Sequence, residues 1–478
     1  MNALSLLFLT MTACSVPDES SVPTEPTDPP QEDTAVAEIN DPVHPPPEFE
    51  SAEVCKDCHS RQYKEWQQSM HAYAAISPVL DAMAAKTHRD TNGGVGTFCT
   101  GCHSPVGTAE GEPGSTTAAQ RSATSLEGVT CDVCHTAVNH TEPIGNTGLV
   151  FQTSENVKFG PFASSATERH RNQKSDFLLQ ANFCGSCHEV FNYPAIRLEE
   201  TFSEYSSGPA PEEGATCQGC HMGPVPGVVS HRTEGPSAKL DGYIYPDREQ
   251  VSHRFVGPDY SLLDDFPYPG DLEASAIAQE ELAEQIQVLL ENSVHIAAAR
   301  VEGSDSARTL TVELESLTSG HNVPTGFTSE RQLWVEVQVS RDDEVLFSSG
   351  DLDSLGDLRD QHSWEVLAGT LHEDTQLANL QSLNLLRWGG GQDIPAGSLP
   401  VVDTVFPFDA NYIYRRSLAP YERRPYEWNL FGIEPPYRVD VALNFRNLPP
   451  YVLRELQLDD LVDRLRIFTI DSESIEVE

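Results

Sequence analysis

The sequence predicts an α+β chain in two parts: a region of coil and short helices, then an antiparallel, β-sandwich-like domain. Three observations carry this. Ten of the eleven cysteines lie between Cys55 and Cys220. Apolar residues show little periodicity through that region, then alternate with period two in the C-terminal part. The hydrophobic content, 38% of 478 residues, is mildly below the roughly 45–50% of ordinary globular chains, even when Gly is counted and Tyr is not. The length suits two or three domains. A net charge of −43 repels phosphate and so argues against nucleic acid or anionic lipid as a partner. No internal run of about 18 uncharged apolar residues is present to span a bilayer.

Taken in order, residues 1–14 form a signal segment. Ala3 to Ala13 has the length of a secretory h-region, and the small residues Thr12 and Ala13 precede Cys14 as at a lipoprotein cleavage site. No Lys or Arg precedes the apolar stretch, so a plain signal peptide is the alternative. Residues 15–50 are rich in Pro, Glu, Asp, Ser and Thr and too poor in apolar groups to offset their ordering entropy. They read as an extended acidic tether.

Residues 51–258 form the cysteine-bearing domain. Its best helix runs from Glu65 to Lys86, restarting at Ser77-Pro78, where Ser can cap and Pro suits a first turn. Residues 259–293 form a linker with a helix from Asp271 to Asn292, because Ile277, Leu282, Ile286, Leu289 and Leu290 recur at helical spacing. Residues 294–478 form the β-rich domain. Leu310, Val312 and Leu314 alternate with polar residues, as do Leu333, Val335, Val337 and Val339, and Val439, Val441 and Leu443. One helix is expected near 450–463. The acidic stretches Asp351–Asp360 and Asp471–Glu478 read as solvated surface.

The cysteines form five copies of one motif: Cys55-Lys-Asp-Cys58-His59, Cys99-Thr-Gly-Cys102-His103, Cys131-Asp-Val-Cys134-His135, Cys184-Gly-Ser-Cys187-His188 and Cys217-Gln-Gly-Cys220-His221. C-x-x-C-H attaches c-type haem: two thiols add across the porphyrin vinyl groups, and the adjacent imidazole takes the iron as proximal ligand. Random placement would give roughly 0.01 copies in a chain of this composition. Zinc sites have no requirement for His after every second Cys, and thioredoxin-like motifs need a βαβ pattern that is missing here. The reading is five covalent haem c groups. Covalent attachment of this kind needs an exported chain, in agreement with the leader. Cys14 is then the odd cysteine, assigned to a lipid.

Electron-transfer haems usually carry two strong axial ligands. Sixteen His less five proximal ones leaves eleven candidates. The five Met are poorly placed: Met1 and Met11 lie in the leader, Met70 and Met222 adjoin candidate His, and Met83 lies in a helix. Bis-His ligation, with its low potentials, is therefore expected.

The stretch CKDCHSRQYKEWQQSMHAYA, with Trp66, Ser69 and His71 after the first motif, resembles the opening of the multihaem cytochrome c family typified by the tetrahaem electron carrier of ammonia-oxidising bacteria. FCTGCHSPVG, GVTCDVCH, FCGSCHEV, CQGCHM and SHRF continue the likeness, which covers about residues 50–256. It implies His71 as a distal ligand to a neighbouring haem. His170, in ATERHRNQKSDFLL, resembles a recurring ligand segment, and His253, in SHRF, follows the fifth motif. His321, in the phrase G-H-x-x-P-T-G before a strand, resembles a segment of β domains attached to multihaem cytochromes; Gly320 and Pro324 make a rigid turn there. The fifth distal position stays open between His88, His140, His231 and no protein ligand. His44, His295, His362 and His372 read as surface or structural. This chain departs from the tetrahaem carrier in its fifth motif and its β domain, so haem order does not transfer whole.

Five haems in about 205 residues leave too little apolar side chain for a conventional core, so porphyrins form the interior and make a row for electrons. The favoured function is an exported electron carrier, periplasmic or at the cell surface as an outer-membrane lipoprotein, with a redox partner that presents a basic surface. The alternative is a haem-based oxidoreductase with one open iron: a nitrogen or sulfur oxyanion reductase, or a hydroxylamine-type oxidase. A pentahaem nitrite reductase would usually carry C-x-x-C-K at its active haem, and every motif here ends in His.

Overall fold

Where the sequence places one helix with a single restart, the chain forms three. They are α1 (Ser60–Gln67), α2 (Met70–Tyr73) and α3 (Pro78–Asp90). Each later start has a serine cap. Ser69 Oγ accepts from the Ala72 N–H, and Ser77 Oγ accepts from Leu80 ahead of a first-turn Pro78. The extra break at Ser69 is the difference from expectation, and it sets the direction of His71. The computed structural model describes residues 48–163, 169–192, 196–230, 232–240, 242–304, 307–387 and 401–478. The leader with Cys14, the tether up to residue 47 with His44, and His231 lie outside the described residues.

From residue 48 to 258 the chain is coil, short helices and two-stranded ribbons, such as Ala137–His140 with Leu149–Phe151 and Val190–Phe191 with Arg197–Glu199. Its buried apolar clusters are small: Ala52, Trp66, Ala72, Tyr73 and Phe266 in one, Phe49, Val106 and Val133 in another.

Helix α4 (Leu272–Glu291) opens on Asp271, whose carboxylate accepts from Ala274. It buries Ala278, Leu282, Ile286, Leu289 and Leu290. Ile277, expected on that face, is 58% exposed. The stripe is set by residues 278, 282 and 286 at four-residue spacing, and Ile277 sits about 100° around the helix from it. The helix packs into the same core as the sheets that follow.

Those sheets are built from β1 (Val294–Ser304), β2 (Ala307–Ser316), β3 (Gln332–Arg341), β4 (Glu344–Ser349), β5 (Arg423–Asn429), β6 (Tyr437–Arg446) and β7 (Phe468–Val477). One antiparallel sheet has the order β1-β2-β5, the other β4-β3-β6-β7, with Ala378–Asn379 also paired to β3. The register sets Val335 opposite Leu443, Val337 opposite Val441 and Val339 opposite Val439. These side chains meet Leu310, Val312, Leu314 and Trp428 of the first sheet in one core. The expected α+β class is observed. Helix α5 (Pro450–Glu455) and a 3-10 stretch over Asp459–Arg464 occupy the place of the helix expected near 450–463.

The acidic segments are not simply solvated. Asp357 is buried, accepts from the Tyr451 N–H at 3.0 Å and pairs with Arg454, so it anchors the start of α5. Asp471 accepts from the Ile296 N–H at 2.9 Å and ties β7 to β1. The described residues of the cysteine-bearing region and the β-rich region make one compact unit. No described helix is long and apolar enough to cross a membrane.

Candidate haem-binding site

Each motif is a single helical turn. The His N–H donates to the first Cys carbonyl in Cys55–His59 (2.9 Å), Cys99–His103 (3.3 Å) and Cys184–His188 (3.0 Å), and Cys131–His135 and Cys217–His221 are short α-helices. One turn places positions i, i+3 and i+4 on the same face, so two thiols and an imidazole project together. The ten thiols, Cys55, Cys58, Cys99, Cys102, Cys131, Cys134, Cys184, Cys187, Cys217 and Cys220, form no disulfide.

Four motif histidines stand opposite a second imidazole. Ring centres are 6.4 Å apart for His59 and His170, 6.4 Å for His71 and His188, 6.5 Å for His135 and His253, and 6.2 Å for His221 and His321. The last two pairs are within 24° and 13° of parallel. A metal–imidazole bond of about 2.0–2.1 Å on each side, plus roughly 1.1 Å from ring nitrogen to ring centre, gives about 6.3 Å. The residues therefore fit an iron between each pair, and the small apolar clusters around them fit a porphyrin-filled interior.

The second rings are held by local structure. Trp66 Nε1 donates to the Val129 carbonyl at 2.8 Å, and Val129 N–H donates to the His71 carbonyl at 2.9 Å, which fixes the turn that carries His71. Phe255 packs 4.6 Å from His71 and 5.8 Å from His253, touching the outer rings of two pairs. His321 comes from the turn before β3. Its Nδ1 meets the Asn322 carbonyl at 2.9 Å, and Glu204 of the short helix Thr201–Ser207 accepts from the Asn322 N–H, the Asn322 amide and the Thr325 hydroxyl.

The motifs are neighbours out of chain order. The Cys55 thiol contacts that of Cys131, Cys102 contacts Cys187, and Cys184 contacts Cys217. Cys134 lies close enough to Cys184 and Cys187 to influence both electrostatically. The fourth motif is thus adjacent to the second, third and fifth.

Burial keeps most of the imidazoles neutral, as a ligand must be. Burial and the His188 charge push His71 down to about 3; burial and His321 push His221 to about 4; burial and His135 push His253 to about 4. His59, His103, His135 and His321 are lowered too, each chiefly by burial. His188 is the exception. Burial opposes its charge, but the Glu199 carboxylate at 3.2 Å outweighs it and pushes it up to about 9. Burial also raises the Cys99 thiol to about 11 and Cys134 to about 12.

Among the described residues, no second imidazole stands opposite His103. Of the candidates for that place, His88 meets the Gly96 carbonyl at 2.9 Å, and His140 lies against Phe177 and the Asn182 amide. Neither faces a motif histidine. His295 pairs with Glu315 across β1 and β2, His362 stacks on Tyr451, and His372 is exposed. Sequence reasoning missed Glu199, Glu204 and Phe255. A lone carboxylate or aromatic carries no spacing signal; only the fold brings these beside the imidazoles.

One-turn C-x-x-C-H units repeated along the chain, with second imidazoles at iron-spanning distance, are what a multihaem c-type cytochrome requires. Residues 54–136 match the family described as cytochrome c554 and c-prime. The fold is similar to the crystal structure of a penta-heme cytochrome c552 from Thermochromatium tepidum, with a TM-score of 0.57 and 16% identity over 90% of this chain and 99% of that one. No curated protein sequence matches the chain.

Proposed function

We propose that this chain is an exported electron carrier with five covalent haem c groups. Cys55/Cys58, Cys99/Cys102, Cys131/Cys134, Cys184/Cys187 and Cys217/Cys220 attach them, and His59, His103, His135, His188 and His221 are the proximal ligands. His170, His253, His71 and His321 are distal ligands to the first, third, fourth and fifth. The four imidazole pairs at 6.2–6.5 Å carry this reading, because that spacing suits iron closed on both sides. Bound haem supplies one-electron chemistry. The chain's residues fix the imidazoles, keep most of them neutral and bring the motifs side by side. Cys14 holds a lipid that tethers the protein to the outer membrane through the acidic segment, and a partner with a basic surface docks on a chain of net charge −43.

Pyridine haemochrome absorption with intact mass should give five covalent haems and an acylated N-terminus; zinc without a Soret band would end the reading. Association with a basic partner should slow as salt rises, and a salt-independent rate would remove the docking claim.

One observation favours a second reading. His103 alone among the motif histidines has no imidazole opposite among the described residues, which suits a haem-based oxidoreductase with one open iron. Adding CO to the reduced protein separates the two. An unchanged spectrum leaves a carrier with every iron closed, whereas rapid binding at one iron, with turnover of nitrite or hydroxylamine, makes it an enzyme.

A further inference from the structure

The five proximal histidines differ in what holds their second ring nitrogen. Nδ1 of His59 meets the Ser237 carbonyl at 3.1 Å, that of His135 the Phe159 carbonyl at 2.6 Å, and that of His221 the Val256 carbonyl at 2.8 Å. His103 bonds the Ala74 backbone. His188 alone meets a carboxylate, Glu199 Oε1, at 3.2 Å. Glu199 is buried at the end of the Arg197–Glu199 strand, just before the short helix Thr201–Ser207, and also accepts from the Thr201 hydroxyl at 3.4 Å.

A neutral carbonyl orients an imidazole. A buried anion also draws its N–H proton and makes the opposite nitrogen a stronger donor to a metal. A stronger donor stabilises ferric over ferrous iron and lowers the potential. The fourth motif is also the one whose thiols or near neighbours reach the second, third and fifth motifs. The distinctive ligand therefore sits at the junction of the row.

We propose that Glu199 is a positioning residue that gives the haem on Cys184, Cys187 and His188 a lowered potential, so that the junction, rather than either end, governs passage of electrons along the row. This rests on the haem assignment above.

The test is a spectroelectrochemical titration of the intact protein and its E199Q variant, with haem counted in both. In E199Q one wave should move up by at least a tenfold change in its equilibrium constant, about 59 mV for one electron, while the other four stay in place. E199D, which keeps the charge, should move back toward the parent. In the unmodified protein, one low-spin ferric EPR signal should show the imidazolate-like character of a carboxylate-bonded histidine, a readout that stands if E199Q fails to fold. Five haems with no displaced wave, all waves shifted alike, or no such EPR signal would each overturn the role of Glu199. A protein without covalent haem would instead overturn the underlying assignment.

Discussion

The imidazole of His321, from the turn before β3, lies 6.2 Å from that of His221 and within 13° of parallel to it. The β-rich region thus supplies one side of the last pair. Replacing His321 with Ala should convert one iron from low-spin to high-spin and create one CO-binding site per chain, read by EPR and absorption. An unaltered low-spin spectrum would show that the ring is not a ligand.

Glu204 should matter to the same iron without touching it. Its carboxylate holds the Asn322 and Thr325 groups that shape the His321 turn. Replacing it with Ala leaves these donors without their acceptor, a cost of about 1–3 kcal/mol. A partial high-spin signal should accompany the lowered unfolding midpoint, and E204Q, which keeps one acceptor oxygen, should recover much of both.

Trp428 should be a main support of the β-rich region. It is fully buried between the sheets, and its Nε1 donates to Ser349 Oγ at 3.0 Å. Trp428→Ala should destabilise by about 3–5 kcal/mol in urea unfolding, and Trp428→Phe by less. A loss below 1 kcal/mol, on the order of a surface change, would place it outside the cooperative core.

His362 should make stability depend on pH. It stacks on Tyr451 at 4.3 Å, with Asp360 at 3.3 Å and Asp403 at 3.0 Å from its two nitrogens. Burial opposes its charge, but the two carboxylates prevail and push it up to about 9. Because this lies above the unfolded value of about 6.5, its stabilisation is full below that pH and is lost as pH rises through about 9. Melting temperature should fall across that window, and His362→Asn should flatten the slope. A parallel slope in the variant would refute the assignment.

Much of the fold was legible because its signals are periodic. The alternating Val335, Val337, Val339 and Val439, Val441, Leu443 foretell two paired strands, and Asp271 foretells the start of α4. The motif spacing foretells a turn with three groups on one face. What could not be read depends on long-range placement. Ile277 fits the helical period yet lies off the buried stripe, Asp357 looks like surface until α5 folds over it, and Glu199 is an ordinary strand residue until His188 is beside it.

The four pairs also have a topological meaning. Each joins residues roughly a hundred positions apart, and the spans interleave: 59 to 170, 71 to 188, 135 to 253 and 221 to 321. With iron in place they act as overlapping cross-links, so no stretch of the chain can be cut free as a self-sufficient piece. A truncation before residue 321 leaves the last iron one-sided, and one before 253 leaves two. If each pair closes on an iron as proposed, the set of four is complete only once the chain is folded through residue 321.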